Sequence, residues 1–343
     1  LVEVKKIKIL EEIEMININE LIERSMEKDT KVEDVFVSPK LLGYSVNNQL
    51  ITGNEFYNFT DWGKSQLCNK LGIPTTYMEK CPAELQGQNI NYWLKNSKYI
   101  EKNWMLRTVE QDGEKYVRSV LTDKYSIFDN TDVLKMVADV VGNQNYEIKR
   151  FSSDEAFGGF HLRLTLPEIS YNAGTTMDGK VDELTFGLHI MNSEVGKRSI
   201  SITPYIHRLI CENGLQVVEA RGDRFTQRHM GVQKEDMPLK IAQAFERAIA
   251  QGEQQMAKFV DTKNMKITDP IKSINDLLKR VKGLTLPKDF NVKIHECFEI
   301  ERIEKNVATV YDLVNSFTRA AQLLDNDDKR VALERFAYLE LVA

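Results

Sequence analysis

Strand-like alternation of apolar and polar positions is densest between Leu184 and Gly231. Leu184, Phe186, Leu188 and Ile190 share one parity; Thr185, Gly187, His189 and Met191 share the other. Successive side chains of a strand point to opposite faces, so this spacing predicts a half-buried strand. Turn formers at 192–197 break the pattern. Ile200 and Ile202 then alternate with Ser199, Ser201 and Thr203 in a second strand, and a hairpin joins the two. Residues 205–211 continue as strand or short helix, Asn213-Gly214 marks a turn, and 215–218 reads as another short strand. Upstream, 146–151 and 157–166 are strands. In the second of these, Phe160, Leu162, Leu164 and Leu166 face one way and His161, Arg163 and Thr165 the other. A polar loop over 171–180 leads back into the central stretch.

The flanks change period. An N-terminal helix follows an extended segment within residues 1–30, and short strands lie near 35–37 and 50–51. Residues 59–71 form a helix with Thr60 or Asp61 as N-cap and Gly72 after its end. Pro74 and Pro82 open two more, and these helices are expected to bury Trp62, Tyr77 and Trp93. Residues 104–109 and 116–121 form a hairpin around Asp112-Gly113, with Arg107 and Arg118 expected on a solvated strand face. A capped helix covers 132–141. Beyond Gly231 the apolar positions fall at helical spacing in five consecutive segments, the second and third opened by Pro270 and Pro287. The pattern as a whole predicts an α+β fold: an antiparallel sheet core of mixed strand lengths, an N-terminal helical segment and a C-terminal helical bundle packed on the sheet. It divides into 1–100, an α/β segment with short helices; 101–235, a β-rich core; and 236–343, a helical region.

At 343 residues, 42% hydrophobic and 28% charged, the chain has the balance of an ordinary globular protein. Its net charge of -5 argues against coating nucleic acid by bulk charge but leaves room for a local basic groove. Cys68, Cys81, Cys211 and Cys297 form no CxxC pair, so zinc is not expected and a reducing cytosol is the default. No apolar run reaches membrane-spanning length and no signal peptide is recognised. No nucleotide-binding or nucleophile-elbow motif is present, and no cofactor is expected.

Three constellations carry candidate chemistry. His161, Arg163 and His189 fall on the polar parity of the two clearest strands. With Ser199, Ser201, Thr203 and Arg208 they are expected to make a cationic face opposite an aliphatic one, the geometry of several nucleic-acid platforms. In the segment 221–229, Arg221, Arg224, Arg228 and His229 surround Phe225. Guanidinium groups grip phosphates there and the aromatic offers a stacking plane. The third constellation is enzymatic: Cys211 as nucleophile, His207 or His229 as base and Glu194 as orienter. Each has a plain structural alternative in solvated strand faces and a core cysteine.

LGIPTTYMEKCP at 71–82, VRSVLTDKYSIFDNTDVL at 117–134, GLHIMNSEVGKRSISITPYIHRLICENG at 187–214, RHMG at 228–231 and YDLVNSFTRAA at 311–321 resemble the phage/plasmid-like family built on domain of unknown function 932. The resemblance covers about residues 40 to 340 in the family's order. It implies a protein of the bacterial host cytosol acting on or for mobile DNA, near replication or recombination, with no established activity or cofactor. The expected function is a nucleic-acid-binding accessory protein, with a homo-oligomer among its expected forms, that binds single-stranded DNA or RNA for annealing or protection. The alternatives are a protein-interaction module, such as an antagonist of host defence that binds a host protein, and the Cys/His enzyme.

Overall fold

The structure is a computed structural model that describes residues 17–96, 103–142, 144–154, 158–175, 179–210, 213–217, 224–281, 283–302 and 307–343. Helix α1 (Ile18–Asp29) starts at Asn17, whose side chain accepts from the Asn19 and Glu20 amides. A first, six-stranded sheet contains β1 (Val32–Val37), β2 (Leu42–Tyr44), β3 (Leu50–Thr52), β4 (Glu55–Phe59) and, after three helices, β5 (Trp104–Gln111) and β6 (Glu114–Thr122). Its spatial order is β1-β5-β6-β4-β3-β2, with β4 and β6 parallel. The β5–β6 hairpin turns at Asp112 and Gly113, both at positive φ as the Asp-Gly signal requires.

The intervening helices are α2 (Asp61–Leu71), α3 (Thr75–Met78) and α4 (Ala83–Asn96). Thr60 caps α2 and Gly72 closes it in the left-handed conformation. Leu67, Cys68, Leu71, Ile90 and Leu94 pack with Leu50, Tyr57, Leu106 and Val120 of the sheet. The expectation that these helices bury three aromatics fails. Tyr77 and Trp93 are exposed and Trp62 is half-buried, because aliphatic side chains already fill the space beneath α2–α4.

The second sheet follows α5 (Asn130–Val141) and holds β7 (Glu147–Asp154), β8 (Gly159–Thr175), β9 (Val181–Ser193), β10 (Ile200–Arg208), β11 (Asn213–Gln216) and β12 (Phe225–Gln227). It is antiparallel in the order β11-β10-β9-β8-β7, and β12 pairs with the first half of β10. The loop expected at 171–180 is instead partly ladder: past an irregularity after Thr165, β8 continues pairing through Tyr171↔Leu184 and Asn172↔Glu183. Residues 205–208 resolve as strand rather than helix.

Among the described residues after β12 lie the helices α6 (Met237–Asp261), α7 (Pro270–Arg280), α8 (Phe290–Glu301), α9 (Val310–Ala321) and α10 (Asp327–Leu341). The register places Leu162, Ile190 and Ile202 in one row, and Leu164, Leu188 and Pro204 in the next. This aliphatic face lies under α6. Gly252 of that helix sits so close to the Phe186 ring that an added Cβ would approach it to 2.8 Å. The opposite face is covered by α10, so the second sheet is sandwiched between helices in an α+β fold. Among the described residues, no helix is long and apolar enough to cross a membrane.

Candidate nucleic-acid interface

The period-2 pattern brings His161, Arg163 and His189 onto one face as expected. Arg163 pairs with His189, which pairs with Thr203, and the neighbouring row holds His161, Met191 and Ser201. His161 Nδ1 lies 3.2 Å from His189 Nε2 with the rings stacked. His161 Nε2 also meets the Arg198 guanidinium. The same Nε2 lies 3.5 Å from Asp328 Oδ1. Nδ1 of His189 is buried. Burial holds both histidines below the usual range, His189 well below it, with Arg163 and His161 adding to that shift.

This face is not open to solvent, contrary to expectation. Helix α10 brings three carboxylates onto it. Glu334 takes two hydrogen bonds from Arg163, at 3.0 and 2.7 Å. Asp327 accepts from Arg150 at 3.0 Å and from the Ser152 hydroxyl at 2.6 Å, and Asp328 accepts from Arg198 at 2.7 Å. A buried guanidinium without a counter-charge is costly, and the helix supplies the charges that the sheet face lacks. The Arg163 guanidinium also lies over the Tyr205 ring, which occupies the space above Gly187; a Cβ on Gly187 would come within 2.4 Å of that ring. Thr165 Oγ1, Thr203 Oγ1, Tyr205 Oη and both polar atoms of the Gln216 amide are buried in the same layer without partners.

Arg208 does not belong to this face. Its parity is that of Ile202 and Ile206, and it lies at the end of the aliphatic side. There it donates to Asp182 at 2.7 and 3.0 Å and to Glu301, which also accepts from Arg319 at 2.6 Å. Tyr311 donates to Asp182 at 2.9 Å, so β9, β10, α8 and α9 meet in one ion network. No local spacing signals this cluster, because its members come from four separate elements and its bonded partners lie up to 129 residues apart.

A second network joins the two sheets through the segment after β9. Glu194 Oε2 accepts from Arg118 Nη1 at 2.9 Å, and its Oε1 accepts from the Asn130 amide at the start of α5 at 2.9 Å. Arg107 donates to the Glu194 carbonyl at 3.1 Å, to Asp129 at 2.6 Å and to Asp34 at 2.8 Å. Trp62 and Gln66 donate to the Val195 carbonyl at 2.9 and 3.0 Å. Arg107 and Arg118 are therefore buried ion-paired groups, not side chains on a solvated strand face. Gly158, at φ +54°, passes so close that a Cβ would lie 2.6 Å from Glu194 Oε2 and 2.7 Å from Arg118 Nη1.

The enzymatic constellation does not assemble among the described residues; Cys211 lies outside them. His207 pairs with Thr185, nine positions along the chain from Glu194, which is about 30 Å at roughly 3.3 Å per residue. The Glu194 carboxylate is held by Arg118 and Asn130. His229 stacks on Tyr125 with ring centroids 5.0 Å apart and contacts the Ser126 carbonyl at 3.4 Å. Burial pushes both His207 and His229 down to about 4. No group of His, Cys, Asp or Glu among the described residues has the arrangement of a metal site.

Of the arginine-rich segment, Arg221 lies outside the described residues. Phe225 pairs with Ile202 and packs against the core, not free for stacking on a base. Arg224, Thr226 and Arg228 share the other parity, which is that of Ser201 and the polar face. Arg224 donates to Thr226 Oγ1 at 2.8 Å. Burial, and then the nearby Arg335 of α10, lower its proton affinity. Arg228 is exposed, and Arg335 has a buried Nε without a partner.

The fold and these networks define an α+β protein whose central sheet is clamped on both faces by helices. The chain belongs to the family described as domain of unknown function (DUF932), whose sequence model matches residues 117–322. That span runs from β6 to the end of α9, so it includes the second sheet and excludes α10. No curated protein and no solved structure matches the chain.

Proposed function

We propose that the protein binds single-stranded nucleic acid through its phosphates, along the rim formed by β12 and the neighbouring side of α10. One observation carries this reading. Among the described residues on the polar side of the second sheet, Arg150, Arg163 and Arg198 each have a carboxylate partner, whereas Arg224, Arg228 and Arg335 have none. Arg335 adds to burial in lowering the proton affinity of Arg224, a like-charge repulsion that an incoming phosphate relieves. Arg224 and Arg228 flank β12 on either side, four residues or about 13 Å of extended chain apart, a spacing suited to successive parts of one backbone. The buried His161, Arg163, His189 and Arg208 support the platform and do not touch nucleic acid in this arrangement. The setting is the one the family resemblance implies: a bacterial cytosol, beside replication or recombination of phage or plasmid DNA, with annealing or protection of a strand as the task and self-association extending the rim. The test is binding of a labelled single-stranded oligonucleotide by the intact protein and by Arg224→Ala/Arg228→Ala. The double variant is expected to lose most of the affinity; equal binding by both removes the proposal.

A second reading, a module that binds a host protein, is supported by the aromatic side chains left outside the core. Tyr77, Tyr92 and Trp93 are exposed on α3 and α4, with Tyr92 and Trp93 edge to face at 5.2 Å. Loss of a stoichiometric host partner on Tyr92→Ser/Trp93→Ser supports that reading, and unchanged capture rejects it.

A further inference from the structure

We propose that the first turn of α10 is an acidic cover over a phosphate-binding face, displaced by the strand that the protein binds. The inference rests on the nucleic-acid reading above and extends the binding surface inward from Arg224 and Arg228.

The geometry is that of a polyanion surrogate. Asp327 and Asp328 are consecutive and come first in α10, after the N-cap Asn326. One takes Arg150 and Ser152 on β7; the other takes Arg198, which itself holds His161 on β8. The two carboxylates thus occupy Arg150 on the sheet's β7 edge and Arg198, which meets His161 on the adjoining β8. Sheet order places β7 and β12 four inter-strand spacings apart, about 19 Å. With the first turn of α10 lifted, Arg150, Arg198, Arg228 and Arg224 form one cationic path across the sheet.

Three further observations separate a removable cover from a permanent part of the core. Asp328 is the open end of the cover: its side chain is 47% exposed, against 20% for Asp327, 19% for Arg198 and 27% for Arg150, and Asp327 is also held within α10 by Arg330 at 2.9 Å. An ion pair with an exposed member is screened by water and salt, which is the case of Asp328 with Arg198. The next contact inward is of another kind. Glu334 and Arg163 are sealed and doubly bonded, and Leu333, Ala337 and Tyr338 lie in the core, so the rest of α10 stays in place when its first turn opens. The family match also ends at residue 322, so the sheet bearing Arg150 and Arg198 belongs to the shared domain while the carboxylates that cover them do not.

The experiment compares three forms of the full chain for binding a labelled 30-nucleotide single strand across a salt series: wild type, Asp327→Asn/Asp328→Asn, and Asp139→Asn/Glu253→Gln. The last has the same change of net charge at exposed positions on α5 and α6. The cover predicts roughly five-fold tighter binding for the first variant at low salt. It also predicts a salt slope steeper than wild type by about 1.4, two added phosphate contacts at ~0.7 each for a single strand. The control is expected to gain less affinity and no slope. Equal behaviour of the two variants overturns the cover while leaving the rim in place. Absence of binding by all three overturns the nucleic-acid reading and the cover with it. Hydrogen exchange gives a second readout that survives loss of stability in a variant. In the wild type, amides of the first turn of α10 are expected to lose protection on adding the oligonucleotide, and unchanged or increased protection there contradicts displacement.

Discussion

Arg163 and Glu334 face each other in a two-point ion pair, 3.0 and 2.7 Å, closed off from water between the second sheet and α10. They are 171 residues apart, and the pair fixes the last helix on the polar face of the second sheet. Removing one partner strands the other charge in the interior. Glu334→Gln or Arg163→Met is therefore expected to cost about 3–5 kcal/mol, whereas Arg163→Met/Glu334→Leu is expected to cost less than the sum of the singles and to approach neutrality. Equilibrium denaturation with urea measures this, and additive losses would show that the two side chains do not act as a pair.

The Glu194 network makes a parallel prediction for the joint between the two sheets. Glu194→Gln leaves Arg118 without its carboxylate and is expected to destabilise the chain by about 3 kcal/mol or more. Gly158→Ala is expected to have a comparable effect from a single methyl group, because the added atom meets the same ion pair and the residue's φ is positive. Both substitutions should raise hydrogen exchange in α5, whose first amide Glu194 accepts. A Gly158→Ala protein with unchanged melting behaviour would contradict the close packing described for this joint.

Acid should unfold the protein through its buried histidines. His161, His189, His207 and His229 all bind protons more weakly when folded than an ordinary histidine, chiefly because of burial, and for His207 and His229 the folded value is about 4. In the unfolded chain they titrate near 6.5. Between those values the unfolded state binds more protons, so stability is complete above the unfolded value and falls as pH drops toward 4. The slope is on the order of 1 kcal/mol per pH unit for each histidine that stays neutral in the folded state. A midpoint of denaturation independent of pH between 7 and 5 would contradict this, and His207→Gln or His229→Gln should flatten the decline.

Much of the central sheet was legible from alternation alone. Leu162, Ile190 and Ile202 on one side, with Arg163, His189 and Thr203 on the other, follow directly from parity, and the register confirms both rows. Arg208 lies on the aliphatic side and not on the expected cationic face, because parity, shared with Ile202 and Ile206, sets the face of a strand residue and charge does not. What covers the polar face could not be read locally. Asp327, Asp328 and Glu334 find their partners 130 to 177 residues away, and an acidic helix start looks the same whether it caps itself or a distant guanidinium. Arg107 and Arg118 were read as solvated for the same reason, since Asp34, Asp129 and Glu194 come from separate elements. Tyr77 and Trp93 failed in the opposite sense: helical spacing of aromatics predicts a core, but aliphatic side chains had already filled it.

The most direct measurement of the central claim is the salt dependence of single-strand binding by wild type beside Arg224→Ala/Arg228→Ala, followed by fluorescence anisotropy. The rim account predicts measurable binding at low salt, with log affinity falling linearly in log salt and the double variant's slope shallower by about 1.4. No binding by the wild type at low salt, or an identical slope in the double variant, contradicts it.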